Sequence, residues 1–366
     1  MLLLSLEASG FRNLQGKISC AAGLNILVGE NGQGKTNWLE AIALVASTRS
    51  FRTTKLQEAV RFGEQLAIVS AMVEESPEIT RKLQVSIQGN TKALTVNDKK
   101  ETVQRYLGQL HAVVFNADEL EIVRGQPDAR RRFLDAGIVS LHPPFIQTFT
   151  DYSRVIKQKN ALLQRARDEE FTTEKTAELL APWNEQLATL ASRIHRARVR
   201  FVERLNGVLE KQLFGREELS IRYVSSLEGK GDLADYEALI TERLALRVHA
   251  EIVSGHALIG THRDDLEIHF DGHDLRKYGS AGQQRSALLL LQLANIAVYH
   301  ATRGEYPLFL LDDIDAELDY NRIAQLLEYL EGKTQTFVTT SKESFIQKFG
   351  ANAAVFRVSD GTAKSL

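Results

Sequence analysis

"LNILVGENGQGKTNWLEAIAL", Leu24–Leu44, decides the fold. It reads as a short apolar strand, a turn with three glycines, a Lys-Thr pair and an amphipathic helix. Gly29–Thr36 matches G-x-x-x-x-G-K-[ST], with the strand before it and the helix after it that the motif requires. The glycines among Gly29, Glu30, Asn31, Gly32, Gln33 and Gly34 let the backbone curl so that its N–H groups face phosphate oxygens. Lys35 adds a charge for the outer phosphates, and the Thr36 hydroxyl is a ligand for Mg²⁺. The start of the following helix adds its positive end to the site. A glycine turn that merely joins strand to helix is the plainer alternative, and the flanking pattern argues against it.

The rest of the chain narrows the class. Its 366 residues exceed one ordinary core, so two domains or lobes are expected. With 43% hydrophobic and 25% charged residues it has a globular composition, and a net charge of −2 gives no general attraction to nucleic acid. Any basic surface must therefore be local. One cysteine, Cys20, excludes an internal disulfide framework and fits a reducing compartment. No apolar run approaches the roughly 20 residues needed to span a bilayer, and "MLLLSLEASGF" lacks a basic region and meets Glu7 at once. A cytoplasmic location without membrane partners is expected. From residue 1 to 118 short alternating runs predict strands, with "EESPEIT" (74–80) a surface loop between two of them. From 119 to 254 the pattern turns helical, and from 255 to 366 strands and helices mix. This predicts an α/β head, residues 1–118 and 255–366, interrupted by a mainly helical insertion, 119–254.

Two further stretches fit a nucleotide-hydrolysing head. "PLFLLDD", Pro307–Asp313, is a buried-type strand delivering two carboxylates to the end of a parallel sheet. Asp312 is placed to hold Mg²⁺, and Asp313 to orient or deprotonate the attacking water. Asp313 is a methylene shorter than Glu, so slow hydrolysis is expected. In "YGSAGQQRSALLLLQLA", Ser280, Gly282 and Gln283 stand at the start of a strongly apolar helix. Taken alone, Ser-x-Gly-Gln more often marks a helix cap. The order P-loop, S-x-G-Q, acidic strand and then "DAELD" (Asp315–Asp319) is that of an ABC-type ATPase head, in which the second phosphate-binding helix completes the site of a partner subunit.

At this level of detail the chain resembles the RecF family, bacterial DNA replication and repair ATPases related to the heads of SMC and Rad50 proteins. The matching stretches are "GFRNL", "GENGQGKTNWLEAI", "RSFR" (Arg49–Arg52), "RRRFLD" (Arg130–Asp135), "VIKQKNALL", "THRDDLEI" (Thr261–Ile268), "GSAGQQRS", "LLDDIDAELD" and "FVTT". The resemblance implies an ATP-dependent homodimer that binds double-stranded and gapped DNA and hydrolyses ATP slowly. It also implies work with RecR, and through it RecO, to load RecA at single-strand gaps, in the cytoplasm at the nucleoid. It places Arg12 and Asn13 close to nucleotide and Ser280, Gly282 and Gln283 against the γ-phosphate of the partner's ATP. Asn116-Ala117-Asp118-Glu119 departs from the family's usual Pro-Glu-Asp after "VVF", and "THRDD" departs from Pro-His-Arg-Asp-Asp. Thr339-Thr340 stands where ABC transporters carry a switch histidine.

The helical middle is expected to carry DNA contacts. Residues 124–211 hold sixteen Lys and Arg against eleven Asp and Glu. Leu187, Leu190, Ile194, Ala197, Phe201, Leu205 and Val208 step by three and four as a buried stripe, with Arg193, Arg196, Arg200 and Arg204 forming an edge one position earlier. Such a row suits phosphate contact without base reading, although charge runs are commonly just solvated faces. Arg130, Arg131 and Arg132 form a second cluster that either meets DNA or pairs with acids inside the insertion. An SMC or Rad50 head would need long heptads, which "RDEEFTTEK" (167–175) and "LFGREEL" (213–219) interrupt. A transporter ATPase subunit would lack the insertion and carry a switch histidine.

Overall fold

A computed structural model describes residues 1–76, 78–209 and 218–366. The chain divides into two compact units, one made of Met1–Leu120 and Gln284–Leu366, the other of Glu121–Gln283.

The first unit contains two sheets. Strands β1 (Leu2–Phe11), β2 (Leu14–Ser19), β3 (Leu24–Val28), β4 (Leu66–Ser76), β5 (Ile79–Gln88), β6 (Thr91–Val96), β7 (Lys99–Lys100) and β8 (Ala112–Phe115) fall in its N-terminal segment. One sheet is antiparallel, in the order β2-β1-β4-β5-β6-β7. Its strands alternate buried and exposed residues, as sheets with one solvated face do. β4 runs on to Ser76 and β5 resumes at Ile79, so the loop expected over 74–80 is mostly strand; Pro77 lies outside the described residues.

The other sheet uses β3 and β8 with β12 (Leu308–Leu311), β13 (Thr336–Thr340), β14 (Ala354–Ser359) and β15 (Thr362–Ser365), in the order β15-β14-β3-β13-β12-β8. From β14 to β8 the pairings are parallel. "LNILV", "LFLL" and "TFVTT" are nearly continuous apolar or β-branched runs because strands between helix-covered faces have no solvated side. The helix Lys35–Ser47 packs on strands of both sheets, which is why Trp38, Leu39, Ile42, Leu44 and Val45 are buried around its whole circumference. It ends at Thr48, whose left-handed backbone returns an N–H to the Leu44 carbonyl.

The second unit is mainly helical, with Pro127–Leu141, Phe145–Asp168 and the 37-residue helix Thr173–Leu209 as its longest helices. The break expected within 167–175 is where one helix ends at Asp168 and the next begins at Thr173. The break at 213–219 falls largely outside the described residues. A strand was missed in the region read as helical. β9 (Leu219–Val224) pairs antiparallel with β10 (Asp265–Phe270), which pairs with β11 (His273–Asp274). This pairing carries the compact unit on to Gln283, beyond the 254 at which the sequence closes the insertion.

Inside this unit, Tyr152, Leu187, Ala191, Ile194, Tyr236, Leu239 and Ile240 form an apolar core. Beside it Lys159 and Glu251 form an ion pair at 2.7 Å with both side chains 0% exposed. Asn184 accepts a second Lys159 bond, and Glu251 accepts the Leu258 N–H. Burial lowers the Lys159 pKa and the Glu251 carboxylate opposes that shift. Removing one partner strands the other charge, whereas replacing both by apolar groups need not cost stability. Lys159→Met is therefore expected to destabilise by about 3–5 kcal/mol, and Lys159→Met with Glu251→Leu to regain most of it. Urea unfolding followed by circular dichroism checks this; a single variant as stable as the native chain would contradict it.

Candidate nucleotide site

The parallel strands end on one edge, and their register brings the predicted residues of the first unit together. Val28 pairs with Thr340, and Leu311 pairs with both Val338 and Phe115. Residues just past these strand ends therefore cluster: Gly29 after β3, Asp312 and Asp313 after β12, Thr339 and Thr340 closing β13, and Asn116 after β8. Such carboxyl-terminal strand edges are where open α/β sheets bind ligands.

The P-loop needs its glycines for space. A Cβ on Gly29 would lie 2.4 Å from the Val358 carbonyl oxygen. Gly34 has φ +106° and a Cβ there would lie 2.7 Å from Asn13 Oδ1. Glu30, Asn31 and Gly32 are exposed along the rim. Gln33 is tied to the turn between β14 and β15: its carbonyl accepts the Gly361 N–H at 2.8 Å and its Oε1 the Asp360 N–H at 2.8 Å. Lys35 is buried and donates to the carbonyls of Gly29 and Glu30, both at 2.9 Å. Burial lowers its pKa, while Asp313, Asp312 and Asp315 favour its charged form.

Thr36 Oγ1 donates to Asp312 Oδ1 at 3.0 Å, and Thr339 Oγ1 donates to the same oxygen at 2.7 Å. Burial raises the Asp312 pKa, and these two hydroxyl bonds oppose it. Because the Thr36 hydrogen points at the carboxylate, its lone pairs point elsewhere, as a cation ligand's must. A hydroxyl and a carboxylate as neighbouring hard oxygen donors fit Mg²⁺, which takes one or two carboxylates and completes its shell with phosphate and water. Asp313 is exposed, with φ 51° and ψ 42°, and caps the short helix Ile314–Glu317.

Arg12 and Asn13 also sit at the P-loop. Asn13 Nδ2 donates to the Gln33 carbonyl at 3.4 Å, and its Oδ1 accepts from Asn37 at 2.8 Å. Arg12 makes a two-pronged pair with Glu40, 3.0 and 2.8 Å, and a third bond to the Glu58 carbonyl. Glu40 is fully buried in the P-loop helix, accepts the Ser50 hydroxyl, and has Arg52 at 3.8 Å. Glu40 was not singled out from sequence. Its signal was there, an acid on an otherwise apolar stretch, "WLEAIALV", where only a cation from elsewhere in the chain could make burial tolerable. Asn116 is buried, and its Oδ1 accepts the Glu119 N–H at 2.9 Å, so this side chain shapes the loop that follows β8.

The remaining predicted residues lie in the second unit. Ser280 and Gln283 bond reciprocally: Gln283 N–H donates to Ser280 Oγ at 3.3 Å, and Ser280 N–H to Gln283 Oε1 at 2.9 Å. This is a capping box at the start of the helix Ala281–Arg303, with exposed Gly282 between its members. On the helix Thr173–Leu209, Arg193, Arg196, Arg200 and Arg204 are all exposed, beside a stripe in which Leu187, Ile194, Phe201 and Leu205 are buried. The second arginine cluster is divided: Arg130 and Arg131 turn inward, and Arg132 stays exposed. Arg130 is buried and pairs with Asp265 through two bonds, Arg131 donates to the Asp264 carbonyl, and Arg132 pairs with Asp128. "THRDD" thus supplies partners to that cluster.

Comparison with known proteins identifies the family and the fold. The family model described as "RecF/RecN/SMC N terminal domain" matches residues 2–364. The "DNA replication and repair protein RecF" of Synechococcus sp. (strain JA-3-3Ab) is 40% identical over 374 residues, covering 99% of this chain and 97% of that protein. The protein of the same name from Shouchella clausii (strain KSM-K16) is 34% identical, with 100% of both chains covered. A solved structure, "Structure of the recombination mediator protein RecF-ATPrS in RecFOR pathway", superposes with a TM-score of 0.90 at 31% identity, covering 100% of this chain and 98% of that one. An Smc head domain from Pyrococcus furiosus shares the fold, with a TM-score of 0.56 at 17% identity. The chain, an ABC-type α/β ATPase head in fold, belongs to the RecF/RecN/SMC N-terminal domain family and, within it, to the RecF proteins.

Proposed function

We propose that this DNA replication and repair ATPase is an ATP-gated homodimer that clamps double-stranded or gapped DNA near single-strand gaps. It hydrolyses ATP slowly, as a switch, and acts with RecR, and through it RecO, in loading RecA. The observation that carries the reading is the contact of Thr36 with Asp312 beneath a P-loop whose lysine is buried among its own carbonyls. In use, Lys35 exchanges those carbonyls for the outer phosphates, and Thr36 and Asp312 hold Mg²⁺. The metal's chemistry there is to neutralise phosphate charge. Asp313, exposed and beside Asp312, orients the attacking water, while Arg12 and Asn13 brace the loop from behind. The mainly helical insertion acts as an arm that carries DNA contacts, and Ser280, Gly282 and Gln283 meet the nucleotide held by the other subunit. A cytoplasmic, nucleoid-associated location goes with this role. Among the described residues no helix is long and apolar enough to cross a membrane.

Lys35→Ala is expected to abolish ATP-dependent dimerisation, because the triphosphate loses its balancing cation. Sedimentation velocity with and without ATP tests this, and normal dimerisation of the variant would end the P-loop assignment. Ser280→Arg is expected to leave ATP binding to the monomer near native while preventing the dimer. Loss of the cap costs only about 1 kcal/mol, so the variant still folds. A collapse of monomer affinity would place Ser280 in the site of its own chain instead. Reversing Arg196 and Arg200 to Glu is expected to weaken DNA binding and flatten its dependence on salt, since fewer counterions are released. Fluorescence anisotropy across a salt series reads both quantities. An unchanged slope would remove this helix from the DNA interface.

A further inference from the structure

One hydroxyl joins the two acids of the site. Thr339 closes β13, is 1% exposed, and its Oγ1 donates to Asp312 Oδ1 at 2.7 Å. The same oxygen accepts the backbone N–H of Asp313 at 2.8 Å. Its one hydrogen and one lone pair are thereby used in opposite directions, toward the side chain of one acid and the backbone of the next. Asp313 needs such an anchor. Its φ of 51° is unusual for a residue with a Cβ, and conformations of this kind persist only where the surroundings fix them. The neighbouring Thr340 is fully buried, and its hydroxyl accepts the Lys342 N–H, so the two threonines do different work.

We infer that Thr339 is a positioning residue for hydrolysis, holding the Asp312 carboxylate toward Thr36 and locking the Asp313 turn so that its carboxylate faces the water site. This rests on the roles proposed above for Asp312 and Asp313. Thr339 touches neither nucleotide nor water in this role; it acts through the two acids. Valine keeps the shape and removes the hydroxyl, leaving the Asp313 N–H without its partner and Asp312 with one hydroxyl donor fewer. Serine keeps both bonds and loses only a methyl.

The test measures kcat for ATP, metal-free ADP affinity and amide hydrogen exchange over residues 312–315 in the nucleotide-free protein, for Thr339→Val, Thr339→Ser and Asp313→Asn. Thr339→Val is expected to lower kcat by roughly 10–100-fold, the range for one lost positioning or stabilising bond in an active site. It should also speed exchange at Asp313 while leaving ADP affinity near native, and Thr339→Ser should restore both rate and protection. A valine variant with native kcat and native exchange overturns the inference, as does a serine variant that falls as far as valine. Asp313→Asn separates the two claims. If it hydrolyses ATP normally, the water-orienting role of Asp313 fails, while the valine–serine contrast in exchange and rate still decides whether Thr339 holds the turn and Asp312.

Discussion

The helix that follows the P-loop has no solvent face of its own, and most of the site depends on that. A helix buried on one side can rotate or slide by a fraction of a turn at modest cost. One packed against two sheets cannot, because protein interiors leave no room for it. The start of Lys35–Ser47 is thereby held against the ends of β3 and β13, and Thr36 meets Asp312 across 276 residues of sequence. The same confinement explains Glu40. A carboxylate carried into this interior needs cations brought to it, and Arg12 supplies the bidentate partner that makes the burial tolerable. The loop holding Arg12 and Asn13 is thus placed by the helix whose P-loop it braces.

Much of this was legible in order of residues. The P-loop and the acidic strand are local patterns that residue type and spacing reveal, and S-x-G-Q, which alone more often marks a helix cap, does form one. The runs "LNILV", "LFLL" and "TFVTT" announce buried parallel strands by lacking alternation. What was not legible depends on partners far apart in sequence. "LSIRYV" alternates over only its first five residues, inside a stretch that reads as charged and helical, and its pairing with β10 makes it a strand. For the same reason the end of the second unit could not be placed at Gln283 from composition.

The arginines show the distinction most clearly. Arg193, Arg196, Arg200 and Arg204 could be ranked as exposed because helical period alone decides which face they occupy. Arg130, Arg131 and Arg132 could not be divided between solvent and interior, since their acceptors, Asp265, the Asp264 carbonyl and Asp128, are set by tertiary contacts and by a short helix pair. Arg198, four residues before Val202 on the long helix, is likewise buried and gripped by Asp135 through two bonds. One helix therefore carries arginines of two kinds, a row exposed along its outer edge and one buried and engaged by the fold.

The capping box at Ser280 and Gln283 has a consequence for how the helix Ala281–Arg303 begins. Each side chain occupies the other's backbone N–H, so two of the donors at this helix end are already engaged from within. An outside acceptor that takes either of them replaces a bond already made. Its gain at those two positions is then the difference between two hydrogen bonds, not the whole of one.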